Sequence, residues 1–164
     1  MKYEVITVPT KLSYKYDGPF STFNGEPFAR LTEDAKYIIR RTDVNRNFMI
    51  SVPKGFVTDF GTIPKWAQWA INARGLGEKA YVLHDWLCFT GMCDYNTADS
   101  ILYSAMRICG VSLHQCLIVR TALYIYHGFI EKDFSTSTTG SLGLGYQEQE
   151  YIKLPPYTPI PDLF

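Results

Sequence analysis

Ala80-Tyr81-Val82-Leu83-His84-Asp85-Trp86-Leu87-Cys88-Phe89 (AYVLHDWLCF) is an apolar run interrupted only by one histidine and one carboxylate. Read as a helix, the positions three and four places from His84 are Ala80, Tyr81, Leu87 and Cys88, so the imidazole lies on an apolar face. Burying a histidine and a carboxylate without partners costs on the order of a few kcal/mol, so both are expected to have them. Gly91-Met92-Cys93-Asp94-Tyr95 reads as a turn, and a second helical stretch is expected from near Asn96. In an antiparallel helix pair, residues equidistant from the turn lie side by side. The midpoint between positions 84 and 99 falls inside the turn, so His84 and Asp99 are expected to meet. Helix axes roughly 8–10 Å apart leave a gap that two side chains can bridge.

Upstream of this run the period is that of strands. Tyr3–Val8 and Lys11–Tyr16 are short runs of β-branched and aromatic residues, separated by Pro9-Thr10. Asp17-Gly18-Pro19 reads as a turn and Ser21–Pro27 as a loop. Ala35–Arg41 and Arg46–Val52 flank Thr42-Asp43-Val44-Asn45 and form an expected hairpin, and Lys54-Gly55 leads into Phe56–Phe60. At Pro64 the period changes. Proline suits a first helical turn, and Trp66, Trp69, Ala70 and Ala73 follow at helical spacing until Gly75-Leu76-Gly77. Further helices are expected over Glu78–Phe89, over Thr97–Ile108 with Asn96 as N-cap, and from Ser112 to about Glu131. Ser112 and Gln115 form a capping-box start, and Leu113, Leu117, Val119, Leu123, Tyr126 and Ile130 give this last helix a broad apolar face.

The expected fold is therefore α+β: an N-terminal antiparallel β-sheet followed by a three- to four-helix bundle. Residues 1–133 read as a single α+β domain. Residues 134–164 read as a linker and an extended C-terminal arm, because Ser135–Gly145 is a Ser/Thr/Gly tract and Pro155, Pro156, Pro159 and Pro161 then interleave with Tyr151, Tyr157 and Phe164. Such an arm would lie extended against the domain's own core or against a neighbour.

The chain has 164 residues, enough for one domain with a real core. Sixteen basic and sixteen acidic residues give a formal net charge of zero, so no basic footprint points to nucleic acid. No apolar run reaches the roughly 18 residues of a membrane span, because His84-Asp85 divides the longest, and no transmembrane segment is expected. The N-terminus alternates, unlike a signal peptide, so synthesis in a cytoplasm is expected. The cysteines at 88, 93, 109 and 116 contain no CxxC pair. His84 and Cys88 share the i,i+4 spacing of metal ligands, yet the four thiols also read as small buried residues of a reducing compartment.

Val52-Pro53, Gly55-Phe56, Thr58-Asp59-Phe60, Ile63-Pro64, His84-Asp85-Trp86-Leu87, Ala98-Asp99, Ala105-Met106 and Gly110-Val111 occur in this order between residues 52 and 111. They resemble the blocks VPxGFxTDFASIPR, HDWLY and AD…AM…GV of a phage- and prophage-encoded family of unknown function. Gly61, Thr62 and Cys88 depart from that pattern. The resemblance implies a viral gene product made in a bacterial host and, with the aromatic share of 15% and the Pro/Tyr arm, a virion-associated protein near the tail. That arm would contact other virion proteins.

A second similarity is to the His-Asp helix pair of phospholipases A2. It implies His84 as general base to a water, Asp99 as the group that orients its imidazole, and Asp85 as a calcium ligand, with Asp59 from Asp59-Phe60-Gly61-Thr62 as a candidate second ligand. The residues themselves admit other uses. Asp99, three places after Asn96, would cap a helix start, and Asp59 would cap the helix at Pro64. A closed network of Asp59, His84, Asp85 and Asp99 would order the junction between sheet and helices. Trp66, Trp69 and Trp86 read as core, and His114 and His127 as ordinary helix residues.

Overall fold

Alternation of buried and exposed residues in the first sixty positions yields six strands among the residues that the computed structural model describes, which are 2–21, 27–60 and 75–126. They are β1 (Tyr3–Thr7), β2 (Tyr14–Ser21), β3 (Pro27–Leu31), β4 (Ala35–Arg41), β5 (Arg46–Val52) and β6 (Val57–Thr58). Two three-stranded antiparallel sheets result, in the orders β1-β4-β5 and β2-β3-β6. Three helices follow: α1 (Glu78–Thr90), α2 (Tyr95–Ile108) and α3 (Leu113–Ile125). The α+β expectation holds. The helix expected from Pro64, with Trp66 and Trp69, lies outside the described residues, as do His127 and the arm 134–164.

In the first sheet the period of two puts Tyr3, Val5, Ala35, Tyr37, Ile39, Ile50 and Val52 on one buried face. The register Val5↔Ile39 and Tyr37↔Ile50 keeps these residues opposite one another. That face packs on α2, chiefly through β1. The link is also polar: the Val5 N–H donates to Ser104 Oγ of α2 at 2.8 Å, next to the register shift between Val5 and Thr7. Tyr37, fully buried, donates its hydroxyl to the Lys79 carbonyl at 2.9 Å and so pins β4 to the first turn of α1.

The second sheet departs from the sequence reading. Asp17-Gly18-Pro19 is no turn but lies within β2, and the partner strand β3 was not anticipated. Pairing between β2 and β3 changes register between Tyr16 and Ser21, so the proline falls in an irregular stretch where a missing N–H costs little. The strand expected over Phe56–Phe60 is only Val57–Thr58.

α1 buries Ala80, Tyr81, Val82, Leu83, His84, Trp86 and Leu87, nearly its whole circumference, as a central helix should. Gly91, with φ 62°, takes the left-handed conformation that ends it. α2 begins two residues earlier than expected. Its N-cap is Asp94, not Asn96: Asp94 Oδ1 accepts the Thr97 N–H at 3.0 Å, and Oδ2 accepts the Thr97 hydroxyl at 2.7 Å. Two oxygens on one residue outcompete a single amide acceptor, and these bonds hold the Asp94 carboxyl below its usual range. Ser112 caps α3 as expected, accepting the Gln115 N–H at 3.3 Å and bonding Gln115 Oε1 at 2.9 Å. The buried face of α3 is Cys116, Val119, Ala122 and Leu123, whereas Leu113 and Leu117 point outward. No helix among the described residues is long and apolar enough to cross a membrane.

Gly77, the residue before α1, lies against Tyr81. A Cβ at position 77 would sit 2.8 Å from Tyr81 Cε2, and that ring is 1% exposed and cannot swing away. As the N-cap of α1, position 77 gives alanine no helix-interior advantage over glycine. Overpacking adds a cost of about 1–3 kcal/mol. Gly77→Ala is therefore expected to lower the midpoint of urea unfolding, and a raised midpoint would contradict this packing.

Candidate functional site

His84 and Asp85 are consecutive on α1, and successive helical residues point about 100° apart, so the pair reaches two different elements. The turn Gly91–Asp94 folds α2 back antiparallel to α1. This brings His84 Nε2 to 2.9 Å from Asp99 Oδ1. The two side chains are 10% and 12% exposed, too dry for the weak, screened bonds of a surface pair. A carboxylate accepts, so the ring nitrogen facing it donates: Nε2 carries a proton, and in the neutral ring the lone pair is then on Nδ1.

Asp85 turns the other way. Its Oδ2 accepts a short hydrogen bond from the Thr58 hydroxyl on β6. Thr58 Oγ1 in turn accepts the Phe60 N–H at 2.9 Å, closing a tight turn two residues long. Phe60 stands at φ 61°, a left-handed conformation that costs a bulky residue about 1–3 kcal/mol. What holds it there is visible: the amide bond to Thr58, a side chain only 1% exposed, and an edge-to-face contact with Tyr14 at 5.0 Å. Phe56 packs edge-on to Trp86 of α1 at 5.2 Å and 90°, reinforcing the same seam.

The sequence-derived set thus divides. His84 and Asp99 are brought together, and Asp85 is brought to Thr58 rather than into their pair. Asp59 is held next to Thr58 in the strained turn. With Asp94 as N-cap, Asp99 stands in the second turn of α2, past the positions where a carboxylate caps a helix start, so the capping use is set aside. Among the described residues, no group of three or more His, Cys, Asp or Glu side chains is placed to hold a metal ion, and residues 61–62 of the loop proposed for calcium lie outside them. Thr58 and the strained Phe60 were missed as site residues. The Thr-Asp-Phe block was the signal that could have found them.

No disulfide joins the four cysteines. Cys88, one turn after His84, places Sγ 3.9 Å from Nδ1 and 3.7 Å from Nε2. Burial pushes the Cys93 thiol up to about 12, with the Asp94 and Asp99 charges adding to it.

An α+β domain with a His-Asp pair clamped between α1 and α2 is thus the class that fold and site define. The chain belongs to the DUF1353 family, described as a protein of unknown function, which matches residues 29–123. The matched segment contains Asp59, His84, Asp85 and Asp99. No curated protein and no solved structure matches the chain.

A double-mutant cycle on His84→Ala and Asp99→Ala, read by denaturant unfolding, is expected to give a coupling of about 1–3 kcal/mol, as for a dry hydrogen bond to a charged acceptor. Additive effects would contradict the pairing.

Proposed function

We propose that this chain is a phage-encoded protein, made in the host bacterial cytoplasm and carried in the virion, near the tail, as a structural or accessory component. In this reading the His84-Asp85 pair serves architecture. The observation that carries it is the destination of the two polar groups: one is spent on α2 through Asp99 and the other on the β6 turn through Thr58. A pair consumed by internal bonds on both sides fastens sheet to helices, and a particle component must hold its shape under mechanical and proteolytic stress. The viral assignment itself is supported by the ordered blocks between residues 52 and 111 and by the aromatic-rich composition, which suits durable interfaces. The Pro/Tyr-rich residues 146–164 are the segment proposed to engage other virion proteins. Mass spectrometry of purified, protease-washed particles made from the encoding genome is expected to recover peptides of this chain. Their absence would overturn the assignment.

A second reading has one observation in its favour. Asp99 accepts from Nε2, so the neutral form of His84 has its lone pair on Nδ1, as a general base requires. A hydrolase of this kind, acting on phospholipid or another envelope ester with Asp85 and Asp59 near calcium, would release fatty acid from vesicles only when calcium is present and His84 intact. Equal inertness of wild type and His84→Ala, with and without calcium, would end this reading.

A further inference from the structure

The two three-stranded sheets place β1, β5, β2 and β6 at their edges. An edge strand offers unpaired N–H and C=O groups to any second strand, and folded proteins ordinarily blunt it. Three of these edges are blunted. β1 shifts register between Val5 and Thr7, and its Val5 N–H is spent on Ser104 Oγ of α2. β2 carries Lys15 and Pro19 and changes register between Tyr16 and Ser21. β6 is only two residues long. β5 has none of these devices. Its seven residues, Arg46–Val52, pair with β4 without a shift and include no proline, lysine or glycine. Among the described residues, no backbone–backbone hydrogen bond beyond the β4 pairing reaches β5.

The side chains beside this edge are unusually open. Asn47, Met49 and Ser51 face outward, and Met49 is 64% exposed beside Ile38, its neighbour across the β4 pairing. Phe48, on the other face, is only half-buried, whereas Ile50 and Val52 on that face are buried. The strand is also complementary to itself. Run antiparallel about Met49, it sets Asn47 opposite Ser51, Phe48 opposite Ile50 and Met49 opposite Met49. Polar meets polar and apolar meets apolar, with each pair on one face of the sheet. Arg46, the single charge of β5, falls opposite Val52. It stands about 20 Å from its counterpart, beyond the screening length of about 8 Å. The whole chain carries no net charge to hold two copies apart.

We propose that the free edge of β5 is an interface between two copies of this chain, joined antiparallel about Met49 into one six-stranded sheet. The strand order becomes β1-β4-β5-β5-β4-β1, which ends on the two β1 strands that Ser104 already guards. A two-fold axis makes the contact self-complementary and closed, so neither copy keeps an open β5 edge. The seam covers the Met49 side chain and the open side of Phe48. The inference goes beyond the virion assignment and does not depend on it.

Sedimentation equilibrium of the full chain is expected to give twice the single-chain mass, falling on dilution. Met49→Lys and Met49→Glu alter a side chain that already faces solvent, and each sets like charges directly opposite on the axis. Each is expected to raise the dimer Kd by about tenfold or more. An equimolar mixture of the two variants sets lysine opposite glutamate and is expected to recover dimers. Leu117→Lys, on the exposed face of α3, is the control and is expected to leave the dimer unchanged. A single-chain mass for wild type at about 100 µM would overturn the proposal, as would a mixture that stays monomeric. So would a dimer that ignores both Met49 variants or yields to Leu117→Lys, since another surface, on α3 or in residues 146–164, would then join the copies. Circular dichroism checks that each variant is folded, and where one is not, the other variant and the wild-type mass decide.

Discussion

The hydrogen bond from His84 Nε2 to Asp99 Oδ1 is the constraint on which the helical half depends. α1 is buried almost all round, so apolar packing alone specifies its rotation poorly: many orientations bury a comparable area. A polar pair with 10% and 12% exposure removes that freedom, because any other rotation leaves an imidazole and a carboxylate dry and unpaired. The register of α2 against α1 follows from the bond. Once α2 is placed, Ser104 meets the Val5 amide and the first sheet is seated.

Asp85 extends the same logic to the other sheet. Because it is the next residue along α1, its direction is fixed once His84 is fixed. Its bond from Thr58 then locates the short strand β6 and the strained turn at Phe60. The left-handed Phe60 is tolerated because its ring is buried against Tyr14 and its amide is held by Thr58. Two adjacent polar residues in one apolar helix therefore tie together elements separated by up to 27 positions in the chain.

Much of this was legible in the sequence, and the reasons differ by element. β4 and β5 were read at their true ends, since clean alternation around a short polar turn leaves few alternatives. The His84–Asp99 meeting followed from the symmetry of two helices about one turn. β3 was hidden because Pro27 and its five residues carry no long alternating run, and its place is set by partners β2 and β6 far away in sequence. The start of α2 was misread because Asp94 and Asn96 are both competent caps, and only the Thr97 contacts choose between them. The Thr58–Asp85 bond depends on tertiary approach and on a backbone conformation that no propensity assigns to phenylalanine. For α3, a helix apolar on two faces does not announce which one turns inward, and Leu113 and Leu117 were placed on the wrong side.

Long-range nitrogen–proton correlation of the His84 ring by NMR tests the central bond most directly. A neutral imidazole with its proton on Nε2, slow to exchange and shifted downfield, is the expected signature of donation to Asp99. A proton resident on Nδ1, or ring resonances unmoved when Asp99 is replaced by alanine, would show that the two helices are not joined in this way.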